Sequence, residues 1–426
     1  MENKRYFVVC LVLSLLIPAS VFAWGSATHA YYANELGRGS GYLNLQEMYG
    51  AMLPDMFAAT FGSPYFDYLW SQSHEQFQKV VKRAKTKDQK AFAFGYASHN
   101  DVWGADYTAH HNGRTTPGIG YVYARIAELT APFEAAIEQI LLDNNMDPAQ
   151  AKAFAKQFAP SVAHEAVETA VDILIKRNED PNIGARIISA AQLRSAGIPL
   201  LLVGAYATDF DREFDLNWVQ AAGIIVGAEA GFREVISYYG YMLMKEETKM
   251  IQLLSVYGAE LAEQLMKAAT NLKITVPPEA IDDLLVLTIN HVESDYADEV
   301  AATLAYLETE LPSHSIEAQS QPVVLNSEVN PENVIESAPH EFSLAQNYPN
   351  PFNPTTTISY SLATDSHIKI TIYNSIGQVV AVLVDEFQAQ GSHSVKWDAS
   401  DQPSGIYVYR LEADGFIATR KMFLQK

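Results

Sequence analysis

The hydrophobic period of this 426-residue chain changes once, from about 3.6 residues to 2, across a stretch that has neither period. Helix-spaced apolar stripes recur in Ala151 to Lys176, Trp218 to Met244, Ile251 to Leu272 and Ile281 to Leu307. Further on, Ile368, Ile370 and Ile372 alternate with polar residues, as do Tyr407, Tyr409 and Leu411. Ser375-Ile376-Gly377 and Gln402-Pro403-Ser404-Gly405 punctuate that region as turns. A helix stripe and a strand face cannot share one pattern, so the chain must build two bodies. The expectation is a multidomain protein: an all-α domain over 24–311, a linker over 312–341 rich in Ser, Glu, Pro and Asn, and a small all-β sandwich over 342–426. The most apolar helix, around Ala221 to Phe232, is interrupted by Glu229 and followed by Arg233 and Glu234, so it reads as a core helix and not a membrane span.

Residues 1–23 read as a secretory signal peptide. Lys4 and Arg5 precede the apolar run Tyr6 to Ile17, and Val21-Phe22-Ala23 supplies the small-residue cleavage site. The single cysteine, Cys10, lies inside that run. The processed chain would therefore carry no thiol, and any transition metal must be held by His, Asp and Glu. A formal charge of −21 argues against a basic nucleic-acid cradle but leaves room for bound cations.

Six of the eleven histidines precede residue 170. His99, Asp106 and His110 stand at i, i+7 and i+11, which predicts one face of one helix. His164 and Glu168 stand at i and i+4, close enough to reach one ion. Asp55 follows Leu53-Pro54, and His74 sits in Ser73-His74-Glu75. Burying so many titratable groups without a cation is costly. Cleavage after Ala23 would expose Trp24 in Trp24-Gly25-Ser26-Ala27-Thr28-His29, where a terminal amine and carbonyl can chelate beside His29.

This ordered set resembles the zinc-dependent phospholipase C superfamily, which includes bacterial phospholipases C, single-strand nucleases and the catalytic domain of glycosylphosphatidylinositol-specific phospholipase D. The resemblance covers residues 24–169. It implies an all-α fold and three zinc ions: one on Asp55, His74 and His99, one on Trp24 and His29 with Asp106 bridging the two, and one on His110, His164 and Glu168. It further implies water activated between the paired ions, with Asp55 orienting it or taking its proton. The family separates its helical His and Asp by four residues, whereas His99 and Asp106 are seven apart. A bulge at Gly104 would shorten that reach; Asp101 in place of Asp106, and His111 in place of His110, stay open.

At the other end, Asn347-Tyr348-Pro349-Asn350-Pro351-Phe352-Asn353-Pro354 with Trp397-Asp398, Ser404-Gly405-Ile406-Tyr407 and Lys421-Met422 is similar to the type IX secretion sorting domain. That resemblance implies a partnership with the type IX machinery, passage through the periplasm and the outer membrane, and a secreted or surface location. The combined expectation is a secreted phosphodiesterase acting on phospholipid-type phosphodiesters, with contact to a membrane surface. The alternatives are a single-strand nuclease or nucleotidase, for which nucleic acid would be the partner, and a surface binding protein on an inactive hydrolase scaffold. The run Asp209, Asp211, Glu213 and Asp215 lacks the spacing of a calcium loop and reads as a solvated turn. His291 and Asp295 read as a surface pair. The aromatics Phe57, Phe61, Tyr65, Phe66, Tyr68 and Trp70 read mainly as core, with a headgroup or base site as the other reading.

Overall fold

The computed structural model describes residues 25–319, apart from 38–40, 61–62 and 271, and residues 343–424, apart from 345–346, 348–349, 351, 363–365, 375–377, 389–390 and 414–415. The expected signal peptide over 1–23, Trp24, Phe61, the expected turn at Ser375-Ile376-Gly377 and residues 320–341 of the expected linker lie outside the described residues.

Among the described residues, the regular elements of the first unit are all helical. Its elements are α1 (Ser26–Leu36), α2 (Tyr42–Met52), a 3-10 turn (Leu53–Thr60), α3 (Phe66–His74), α4 (Gln78–Arg83), α5 (Lys87–His99), α6 (Ala105–His110), α7 (Tyr121–Asp143) and α8 (Pro148–Leu174). They are followed by α9 (Ile183–Gln192), α10 (Ile198–Glu213), α11 (Trp218–Leu243), α12 (Glu247–Thr270), α13 (Pro278–Val292) and α14 (Tyr296–Ser313). Local chemistry sets several starts. Thr86 and Gln89 form a capping box at α5, and Asn217 and Gln220 form another at α11. Asp147 accepts from the first turn of α8, whose first residue is Pro148.

Helices α2 and α5 meet backbone to backbone. A Cβ on Gly50 would stand 2.0 Å from the Phe92 carbonyl oxygen, and one on Gly95 would stand 1.8 Å from that of Glu47. This close approach brings the end of α5 beneath the end of α2, where His99 Nδ1 lies 2.7 Å from the Ala51 carbonyl oxygen. One continuous core, from Ala27 to Ile316, unites most of the helices. The expected boundary at 311 falls too early. Helix α14 runs through Pro312 to Ser313, Ile316 is buried, and the Gln319 N–H donates to Glu47. Burial of Ile316 carries the packed chain beyond the point where the apolar period fades. No described helix is long and apolar enough to cross a membrane.

The second unit has strands β1 (Ser343–Leu344), β2 (Thr355–Leu362), β3 (Ser366–Asn374), β4 (Val379–Gln388), β5 (Gly391–Asp398), β6 (Gly405–Ala413) and β7 (Phe416–Leu424). They pair antiparallel in two sheets, β1-β2-β5 and β4-β3-β6-β7. Alternation puts Ile368, Ile370, Ile372, Tyr407, Tyr409 and Leu411 inside, with Ile358, Tyr360 and Trp397 from the other sheet in the same core.

Candidate metal centre

Three of the histidines are the last residues of helices: His74 of α3, His99 of α5 and His110 of α6. Imidazole is well placed there, because the helix C-terminus favours positive charge and, through it, a cation beyond the ring. His29 lies in the first turns of α1, Asp55 in the 3-10 turn, Asp106 in the first turn of α6, and His164 and Glu168 one turn apart on α8. The chain thus delivers six elements to one place.

Asp106 sits between the rings. Its Oδ1 is 3.1 Å from His29 Nε2, and its Oδ2 is 3.0 Å from His99 Nε2 and 3.7 Å from His74 Nε2. Asp55 Oδ1 lies 3.3 Å from His74 Nε2 and 3.5 Å from His99 Nε2. The His29 and His99 rings stack at 4.0 Å. Nearby, His164 Nε2 is 2.9 Å from Glu168 Oε1 and 3.1 Å from His110 Nε2. Three groups emerge, each with ligand atoms within 4.8 Å of one another: Asp55, His74 and His99; His29, His99 and Asp106; His110, His164 and Glu168. His99 is shared by the first two.

These side chains fit a cation better than they fit each other. His29 Nε2, His99 Nε2, Asp55 Oδ2, Asp106 Oδ1 and both Glu168 oxygens are buried and make no hydrogen bond, although several lie near 3 Å from one another. They converge without aiming a proton at a lone pair, as ligand atoms around an ion do. Left without a cation, each such group costs free energy. Outer contacts turn the rings inward: His74 Nδ1 lies 3.0 Å from the Trp70 carbonyl oxygen, and His99 Nδ1 lies against that of Ala51. That arrangement leaves Nε2 to ligate. His164 is the exception, since its Nδ1 also lacks a partner.

The electrostatics agree. Burial, followed by repulsion from His99, pushes His29 down to about 4. Burial lowers His74, and burial with His110 pulls His164 well below its ordinary value, so these rings are held neutral, the ligating form. Burial opposes charge on His99, but Asp106 and Asp55 outweigh it and shift the ring up. Burial pushes Asp55 and Glu168 far above the carboxylate range, and lifts Glu165 to about 8. Burial acts on Asp106 in the same sense, yet His99 and His29 hold it well below that range. Among the described residues no Lys or Arg pairs with any of these carboxylates.

The expected single helix through His99 and His110 is absent. Asn100 ends α5, and its Oδ1 accepts from the Val102 and Trp103 N–H groups at 2.9 Å. The chain then turns through Gly104, where a Cβ would stand 2.5 Å from the Asn100 carbonyl oxygen, before α6 begins. The helix is therefore broken where a bulge was expected, and the turn folds Asp106 back onto His99. Asp101 and His111 pair with each other at 3.0 Å, with His111 half exposed, and belong to none of the three groups.

The set-aside features also find partners. Asp209 pairs with Lys79 at 2.7 Å. His291 pairs with Glu128, while Asp295 takes Arg125, so the expected His291–Asp295 pair does not form. Phe57 is buried, Tyr65 and Tyr68 pack on Phe210 and Phe214, and Trp70 stacks on His74 at 3.9 Å. Asp172 is a buried group beside this site that its sequence position did not single out. Asp172 continues the His164–Glu168 face of α8 by one more turn, and its carboxylate receives the start of α1. The signal was a lone acid in the apolar run Ala170-Val171-Asp172-Ile173-Leu174.

Residues 346–425 match the sequence profile of a family described as a secretion system C-terminal sorting domain. The chain is exported by type IX secretion, to the cell surface or into the medium. An uncharacterized protein of Archaeoglobus fulgidus is 28% identical over 130 residues, which cover 28% of this chain. That match spans 37% of the archaeal protein's length. No solved structure matches.

Proposed function

We propose that this exported protein is a zinc-dependent hydrolase of phospholipid-type phosphodiesters. The observation that carries the reading is the convergence of three largely buried His and carboxylate groups, in which His29 Nε2, His99 Nε2, one oxygen each of Asp55 and Asp106 and both oxygens of Glu168 lack hydrogen bonds. Nitrogen and oxygen donors in sets of three, without thiolate, suit zinc and leave a position open for water or substrate. Bound ions would supply Lewis acidity toward a phosphate and lower the pKa of a water.

The chain's own groups have distinct parts in this reading. Asp106 offers one oxygen to each of the two neighbouring groups and so ties them together. Asp55 keeps Oδ2 free of hydrogen bonds beside His74 and His99, which suits it to orient a water and take its proton. His110, His164 and Glu168 would serve the departing oxygen. Trp24, outside the described residues, would add its amine beside His29.

The test uses the signal-processed chain beginning at Trp24. Elemental analysis should find close to three zinc ions. Phosphatidylcholine or phosphatidylinositol should be cleaved in a chelator-sensitive way. Cleavage of single-stranded DNA alone would shift the reading to the nuclease branch. A full metal complement without turnover would favour a binding role, and one ion or fewer after reconstitution with zinc would overturn the trinuclear centre.

A further inference from the structure

Helix α1 begins without a cap of its own. Its N-cap is Gly25, its first turn carries no acid, and no local side chain accepts from its free N–H groups. Such a start leaves buried donors unsatisfied. The acceptor comes instead from 145 residues away. Asp172 of α8, fully buried, accepts the Ala27 N–H at 2.8 Å on Oδ2, and the Thr28 N–H and hydroxyl at 2.7 Å on Oδ1. The Tyr239 hydroxyl of α11 donates to Oδ2 at 2.7 Å. Gly25 lies so close that a Cβ there would stand 2.4 Å from the carboxylate.

We infer that Asp172 is a positioning residue for the ion held at His29. The inference rests on the metal-dependent reading above. His29 is the next residue after Thr28, so the carboxylate that fixes the Thr28 amide fixes the height and rotation of the His29 ring. Metal ligands tolerate displacements of only about 0.2 Å. The same helix face presents His164 and Glu168 at i−8 and i−4 from Asp172, so α8 sets one metal group directly and a second through α1. The negative charge also suits the α1 N-terminus, where four donors and the helix dipole converge.

The experiment compares the signal-processed full chain with Asp172→Asn, using zinc alone as the probe. An amide in place of the carboxylate keeps the shape but turns an NH2 toward the α1 donors. The variant should bind one ion about ten- to hundredfold more weakly, a loss typical of outer residues around metals, and keep the other two. Hydrogen exchange at Ala27 and Thr28 should quicken. Loss of a single ion separates positioning from general unfolding, which would release all three. Unchanged zinc affinity, even with a lower thermal midpoint, would overturn the inference. If Asp172→Asn does not fold, Thr28→Val removes one donor with little change of shape. It should weaken the same ion to a smaller degree, and an unaltered zinc titration for it would likewise overturn the inference. A wild-type chain that takes up no zinc would overturn the reading of function and this inference with it.

Discussion

His99 Nε2 and Asp106 Oδ2 stand 3.0 Å apart, although seven positions of chain separate them and no helix carries both. The turn between them is held by Asn100, whose side chain accepts two N–H groups and donates to the Ala97 carbonyl oxygen at 2.7 Å. Gly104→Ala should therefore be disruptive. Its methyl would meet the backbone oxygens of Asn100 and His99, which cannot retreat as a side chain can. A cost of roughly 2 kcal/mol is expected, measured by urea unfolding, together with weaker zinc binding. A variant as stable as wild type would mean that the turn relaxes freely.

Asp106 and His164 should give different metal counts. Asp106 is a member of the His29 group, while its Oδ2 also faces His99 and His74 of the Asp55 group at 3.0 Å and 3.7 Å. Asp106→Asn should release both of those ions, whereas His164→Ala should release the third alone. Elemental analysis of the dialysed proteins distinguishes the cases, and equal losses would contradict the partition into a pair and a single ion.

Glu47 gives a pH dependence. The residue is buried on α2, accepts the Gln319 N–H at 3.2 Å, and leaves Oε2 without a hydrogen bond. Burial pushes its carboxyl up to about 7 from an ordinary 4.5. The unfolded chain gives up this proton first, so the stabilisation is fully present below pH 4.5 and is lost as pH rises through about 7. The loss approaches roughly 3 kcal/mol. Glu47→Gln should remove it, so the thermal midpoint of the variant should gain on wild type between pH 5 and pH 8. Parallel midpoint curves would assign the group an ordinary titration.

The β unit has a core of its own, and the metal-ligating candidates all precede residue 170. Deleting residues 342–426 should leave zinc content and any phosphodiesterase activity intact in the purified protein, while the protein accumulates in the periplasm. Fractionation and surface labelling check this, and normal surface display of the truncated chain would refute the sorting role.

Period alone located both bodies, because each unit buries one face of its elements and writes that face into its spacing. The ligand candidates were legible for a different reason: His164 and Glu168 share a helix turn, and the other residues cluster in short segments. The continuous helix through His99 and Asp106 was misread, since Asn100 and Gly104 act through a cap and a turn that spacing does not encode. Asp172 went unseen because its meaning lies in a partner 145 residues away, the uncapped N-terminal amides of α1. The boundary at 311 failed where Ile316 and Gln319 found burial and a carboxylate in the helical core.

Helix α8 carries His164, Glu168 and Asp172 at successive turns of one face. Inserting or deleting a single residue between them would rotate the remainder by about 100°. The carboxylate that holds α1 would then swing away from it even with every residue retained. Lineages of this chain should therefore tolerate length changes in the loops around α8 far more readily than inside this eight-residue interval, whatever substitutions accumulate on its outer side.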